Sequence, residues 1–206
     1  MSTSSYIQLA DYRLRVAESY ARVRDSTLPP EVRWQHFRTD QDNLFKSHPQ
    51  TALTLEQVAD FTSLNYFPYN PAYRFILQVK AITYQEIVTI DLHDDGPTRL
   101  KPFGRIKFGI SGQEVYLTLF WIMGYGGGIF LPFKDLTSGT ETYAGGRYLI
   151  DTIKGADLGW EDDRLVIDFN FAYNPSCAYN DQWVCPLAPL ENSLNFPILA
   201  GEKKFV

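Results

Sequence analysis

Seven of the chain's 14 glycines crowd between positions 124 and 146, at Gly124, Gly126, Gly127, Gly128, Gly139, Gly145 and Gly146. Interleaved with them run Asp135, Thr137, Ser138, Glu141, Tyr143 and Arg147. Glycine reaches positive φ and permits close approach of backbone or ligand, so the cluster marks tightly shaped backbone studded with groups that can bind or move protons. Arg147 could fork onto a carboxylate or phosphate, and Glu141 could serve as a base or a hydrogen-bond anchor. The amides of Gly126, Gly127 and Gly128 could cradle an anion. The competing reading is a β-bulge or barrel corner at the glycines, beside a polar loop pinned by a Glu141–Arg147 pair with Asp135 capping a turn. Gly124-Tyr-Gly-Gly-Gly-Ile-Phe carries neither the spacing of a dinucleotide fingerprint nor the Lys-Ser/Thr of a P-loop.

A second group of polar residues follows in Leu165-Val-Ile-Asp-Phe-Asn-Phe-Ala-Tyr-Asn. Period-two alternation places Asp168 and Asn170 on one face, opposite Leu165, Ile167, Phe169 and Phe171. That face either lines a cavity or meets water, and Tyr173, Asn174 and Tyr179 extend its polar and aromatic character. The two cysteines, Cys177 and Cys185, are separated by seven residues, which is neither a Cys-x-x-Cys redox pair nor a zinc knuckle. Buried inert thiols are expected, with a strained disulfide as the outcome of oxidation. A nucleophilic thiol would require a base such as His93 brought round by the fold. There is no Gly-x-Ser-x-Gly elbow. No metal site is expected, and no cofactor is specified.

These groups need a scaffold, and composition indicates its kind. With 206 residues the chain suits one domain, and 13 Tyr and 14 Phe favour sheet over helical bundle. The formal charge of −5 and the absence of a basic stripe argue against nucleic acid. Arg13, Arg15, Arg22 and Arg24 are diluted by Asp11, Glu18 and Asp25 and read as a solvated face. No apolar run reaches the length of a membrane span, and Met1 to Ala10 lacks the features of a signal peptide, so a cytoplasmic location is expected.

Residues 1–62 read as helical. Ile7, Ala10, Leu14, Ala17 and Ala21 recur at helical spacing. Pro30 suits the first turn of a second helix, whose apolar face would carry Trp34, Phe37, Gln41, Leu44 and Phe45. Thr54 and Gln57 form a capping-box pattern. Residues 63–206 read as β-rich: runs at Phe75–Ala81 and Ile87–Leu92, a turn at Asp94-Asp95-Gly96-Pro97, a hairpin joining Ile106–Ile110 to Val115–Ile122 through Ser111-Gly112, then Ile129–Phe133, Arg147–Thr152, Leu165–Phe171 and Phe196–Ala200. The expected architecture is α+β in a single domain, with N-terminal helices packed on a mostly antiparallel β-sandwich or barrel of about eight strands.

Three stretches also resemble a known family: Asn65-Tyr-Phe-Pro-Tyr-Asn-Pro-Ala-Tyr-Arg-Phe, Gly126-Gly-Gly-Ile-Phe-Leu-Pro-Phe-Lys-Asp-Leu-Thr-Ser-Gly-Thr-Glu-Thr-Tyr, and Asp168-Phe-Asn-Phe-Ala-Tyr-Asn-Pro-Ser-Cys-Ala-Tyr-Asn. Cys185-Pro-Leu-Ala-Pro-Leu-Glu-Asn and Ala200-Gly-Glu-Lys fit as well. The chain from about Trp34 onward is similar to the prokaryotic domain-of-unknown-function 1684 family. The resemblance implies a single prokaryotic domain and carries over no activity, cofactor or catalytic residue. From the residues themselves, two functions are in play. One is a pocket for a small polar or anionic molecule, used for binding or metal-independent catalysis. It would be built from segments 124–148 and 166–185: Gly126, Gly127, Gly128, Asp135, Ser138, Glu141, Tyr143, Arg147, Asp168, Asn170, Asn174 and Tyr179. The other is an interaction module docking through aromatics such as Tyr66, Tyr69 and Trp183.

Overall fold

The computed structural model describes residues 2–83, 86–92, 96–110 and 112–205. The expected turn at Asp94–Asp95, the base candidate His93 and Ser111 of the hairpin turn lie outside the described residues.

Three helices open the chain: α1 (Thr3–Asp25), α2 (Pro30–Ser47) and α3 (Leu55–Asp60). Pro30 occupies the first turn of α2, where its missing N–H costs nothing. This helix buries Trp34, Phe37, Gln41, Leu44 and Phe45, the face its spacing implies. The α3 box is complete, with Gln57 N–H donating to Thr54 Oγ1 and Thr54 N–H to Gln57 Oε1. α1 departs from expectation, because Ile7 and Leu14 are exposed and burial is confined to Ser19, Tyr20 and Val23. Its stripe of small residues has a different use: a Cβ on Gly155 would lie 2.4 Å from Ala17 Cβ, so this stretch of helix abuts backbone.

Nine strands follow among the described residues: β1 (Arg74–Leu77), β2 (Lys80–Ala81), β3 (Val88–Asp91), β4 (Pro97–Ile110), β5 (Gln113–Met123), β6 (Gly128–Phe133), β7 (Arg147–Asp151), β8 (Trp160–Glu161) and β9 (Arg164–Asp168). They form two antiparallel sheets. One runs β2-β4-β5-β6-β7 with β3 also on β4, and the other runs β1-β9-β8. The arrangement is α+β and sandwich-like; the sheets do not close into a barrel. The single run expected at Phe75–Ala81 is split, since β1 pairs with β9 while β2 pairs with β4. Gly104 makes that crossing possible, as a Cβ there would stand 2.5 Å from Val79 Cγ1.

Phe196–Ala200 is not a strand. No ladder forms there; Phe196 O accepts from Leu136 N–H, Ile198 N–H donates to Asp135, and the carbonyls of Ile198 and Ala200 accept from Arg147. The strand expected to reach Phe171 ends at Asp168, and Phe169–Phe171 forms a 3-10 turn. This turn joins the two halves of the interior. Phe169 lies in the core between the sheets, near Phe75, Phe108 and Phe133, while Phe171 packs on Phe37 beneath the helices. No helix among the described residues is long and apolar enough to cross a membrane.

Candidate functional site

Arg147 begins β7 and is 1 % exposed. Its guanidinium donates to Asp135 Oδ2 at 2.9 Å and to the carbonyls of Ile198, Ala200 and Glu202. Asp135 is equally committed. Its Oδ1 accepts from Thr137 N–H at 2.7 Å, Thr137 hydroxyl at 2.6 Å and Ile198 N–H at 3.4 Å, while Ser138 Oγ accepts from Asp135 N–H. The partner of Arg147 is therefore Asp135, whereas Glu141 is exposed and its carbonyl accepts from Lys204 N–H. This fork-and-carboxylate unit ties the 134–142 loop to the C-terminal segment through non-local bonds. Arg147 Nε alone of the fork lacks a partner, and a buried pair bonded on this many sides holds structure. Gly126 is exposed in the turn between β5 and β6, and Gly127 lies under the Trp121 ring.

A second network surrounds Glu202, a residue not singled out from sequence. Its carboxyl accepts from the Tyr179 hydroxyl at 2.5 Å and from Asn174 N–H at 2.9 Å, and burial pushes its pKa up to about 7. Asn174 also donates to Lys203 O. In sequence Glu202 stands in Ala200-Gly-Glu-Lys, a stretch that carries the family resemblance but whose spacing says nothing of Tyr179 or Asn174.

Asp168 and Asn170 do meet, although not as neighbours on a strand. Asp168 caps the 3-10 turn: its Oδ1 accepts from Asn170 N–H at 2.9 Å and Asn170 Nδ2 at 2.7 Å. Asn170 is spent on structure, exchanging two bonds with the backbone of Asn70 and accepting from Trp34 Nε1 through its carbonyl. Asp168 is different. Though only 4 % exposed, it lines a cleft of about 120 Å³ between α1, α2 and the smaller sheet, together with Arg24, Arg33, Arg74, Trp160 and Glu161.

The elements explain this convergence. β1 and β9 pair antiparallel with Arg74 directly opposite Asp168, so both side chains share one face. β8 brings Trp160 and Glu161 to the rim, where Arg74 pairs with Glu161 at 2.5 Å. α1 contributes Arg24, bonded to Asp157 O, and α2 contributes Arg33, whose Nη1 donates to Val23 O. Arg33 Nε is buried without a hydrogen-bond partner. Burial raises the pKa of Asp168 to about 6, against the opposing pull of its Asn170 bonds and of Arg74 and Arg33. A cleft with three guanidinium groups and a carboxyl that titrates near neutrality can receive an anion and exchange a proton with it.

Two larger grooves run between α1 and α2, of about 260 and 350 Å³. Two ion pairs line them, Arg22 with Asp40 and Arg15 with Asp11, both at 2.8 Å, and Arg33 also borders the smaller groove. Among the described residues, no three His, Cys, Asp or Glu side chains gather as a metal-binding group. Of the proposed docking aromatics, Tyr66 is core, while Tyr69 and Trp183 are half-buried against the same cluster. Tyr143 stands beside Cys177, its hydroxyl 3.5 Å from the sulfur.

No curated protein matches the chain. Among solved structures, it is similar to the solution NMR structure of an uncharacterised protein from Haloarcula marismortui, with 32% identity and a TM-score of 0.59, covering 84% of this chain and 94% of that one. The family described as "Protein of unknown function (DUF1684)" matches residues 59–203. That span includes both buried networks and five of the seven polar or aromatic residues of the cleft, and the chain belongs to this family.

Proposed function

We propose that the chain binds a small molecule bearing a carboxylate, phosphate or sulfate-like group in the Asp168 cleft. The observation that carries this reading is the buried carboxyl of Asp168, its pKa raised to about 6, placed across the β1–β9 ladder from Arg74 in a cleft that Arg33, its Nε buried and unpartnered, also lines. Arg33 and Arg74 supply the clamp, Trp160 the apolar wall, and Asp168 a hydrogen bond to the ligand when protonated. Of the segments expected to build a pocket, 166–185 contributes through Asp168. Within 124–148, Asp135, Thr137 and Ser138 are engaged in their own turn and in the Arg147–Asp135 pair.

Calorimetric titration with sodium sulfate tests this, because sulfate keeps its charge across the relevant pH range. Binding is expected to tighten as pH falls from 7.5 to 5.5 and Asp168 takes up its proton. Arg74→Ala is expected to weaken it by about tenfold or more, as a charge-assisted pair is lost. Absence of binding at millimolar sulfate, or affinity indifferent to Arg74→Ala, would remove the proposal.

A further inference from the structure

The two cysteines, expected to be buried, are free and of intermediate exposure. Cys177 sits in a 3-10 turn spanning Ser176–Ala178, entered through Pro175. Its backbone N–H donates to Cys185 Sγ at 3.4 Å, which brings the second sulfur back onto the residue that carries the first. The Tyr143 hydroxyl donates to Cys177 Sγ at 3.5 Å. Both cysteines are free and only half-buried, so solvent and small oxidants reach them. Gly145 belongs to the same arrangement. A Cβ there would lie 2.5 Å from the Tyr143 ring and 2.9 Å from Leu187, so the absence of a side chain lets the tyrosine lie over the pair.

The electrostatics favour a division of labour. The Cys185 side chain hydrogen-bonds to Cys177 and lowers its pKa to about 6; burial opposes this, and Tyr143 and Lys154 add to the lowering. Cys185 is driven the other way by the same bond and by burial. The charged or titratable groups acting on the pair include Tyr143, Tyr148, Lys154 and Asp181, and of these only Lys154 is cationic.

We propose that Cys177 and Cys185 form a hydroperoxide-reactive dithiol site, with Cys177 as the attacking thiolate, Tyr143 as its hydrogen-bond donor and Cys185 as the resolving thiol. In the first step, Cys177 sulfur attacks one peroxide oxygen. The O–O bond breaks, an S–O bond forms, and the departing oxygen takes a solvent proton and leaves as water or an alcohol. In the second step, Cys185 sulfur displaces hydroxide from the Cys177 sulfenic acid. The S–S bond forms, and the hydroxide leaves as water with the proton from Cys185. Two electrons pass from the thiol pair to the peroxide, and an external dithiol restores the reduced state. The seven intervening residues provide the slack for closure.

The test is mass spectrometry on reduced, desalted protein treated with hydrogen peroxide at pH 7, then quenched with N-ethylmaleimide under denaturing conditions. The expected product is two hydrogens lighter and carries no maleimide; reduction with dithiothreitol, desalting and fresh N-ethylmaleimide should then give a doubly alkylated species. Cys185→Ser is expected to stop at a sulfenic acid trapped by dimedone, whereas in Cys177→Ser the remaining thiol should react about tenfold more slowly or less. Tyr143→Phe is expected to move the pH midpoint of Cys177 alkylation upward while the folded spectrum is kept. Two free thiols after peroxide treatment would overturn the proposal. So would oxygen on Cys177 beside an unreacted Cys185, or equal reactivity in the two serine variants.

Discussion

Arg147→Ala separates a structural arginine from a ligand-binding one. The substitution removes the ion-pair partner of Asp135, whose side chain is fully buried. It also strips a donor from the carbonyls of Ile198, Ala200 and Glu202. Breaking a buried pair by removing one member costs about 3–5 kcal/mol, because the remaining charge stays uncompensated. Against a typical total of roughly 5–15 kcal/mol, that is a large fraction. At about 2–4 °C per kcal/mol for a chain of this size, the midpoint should fall by roughly 6–20 °C. Urea and thermal unfolding followed by circular dichroism would measure it. A double-mutant cycle with Asp135→Asn should give a coupling of about 1–3 kcal/mol, since an unpaired Asn is easier to bury than an unpaired carboxylate. If Arg147→Ala were within about 0.5 kcal/mol of the parent yet abolished sulfate binding, the reasoning would fail and Arg147 would belong to the ligand site.

Asp168→Asn should stabilise the protein at pH 8. The carboxyl has an ordinary pKa of 3.8 and a folded value of about 6, so the folded state holds this proton more tightly than the unfolded state. Stability therefore declines as pH rises between about 4 and 6 and levels off above, a penalty on the order of 3 kcal/mol. The Asn variant escapes that penalty while keeping an oxygen for Asn170, so parallel urea curves at pH 4 and pH 8 should diverge only at the higher pH; a variant less stable than the parent at pH 8 would contradict this. Gly201→Ala is expected to cost about 2 kcal/mol or more, because φ is +79° and the new Cβ would lie 2.6 Å from Phe169 O and 2.8 Å from Ala172 Cβ. Gly112→Ala, at φ +75° with nothing within 4 Å, should cost only about 1 kcal/mol. Equal losses in the two glycine variants, read from chemical denaturation, would mean that packing around Gly201 is not limiting.

Local sequence signals proved reliable where the contacts they imply are local. The α2 face from Trp34 to Phe45, the Thr54–Gln57 box and the β4–β5 hairpin body each rest on residues close in sequence, and each is present. The close approach of α1 at Ala17, the irregular 196–200 segment and the change of sheets after Leu77 depend on distant partners, namely the Gly155 backbone, Arg147 and β4. Periodicity carries no information about those. Asp135 was recognised as a turn cap, but its role as the partner of Arg147 was not, because Glu141 stands closer in sequence. The cleft was the least visible feature. Asp168 drew notice from its setting, whereas Arg33 and Arg74 reach it only through the β1–β9 register and the docking of α2.

The most direct measurement is an amide chemical-shift titration of isotope-labelled protein with sodium sulfate at pH 5.5. If the Asp168 cleft receives anions, saturable shifts should gather at Arg33, Arg74, Trp160, Asp168 and Asn170, and should weaken in Arg74→Ala. Shifts centred on Gly126 to Gly128 and Glu141, with the cleft unmoved, would return the site to the glycine-rich segment and contradict the assignment made here.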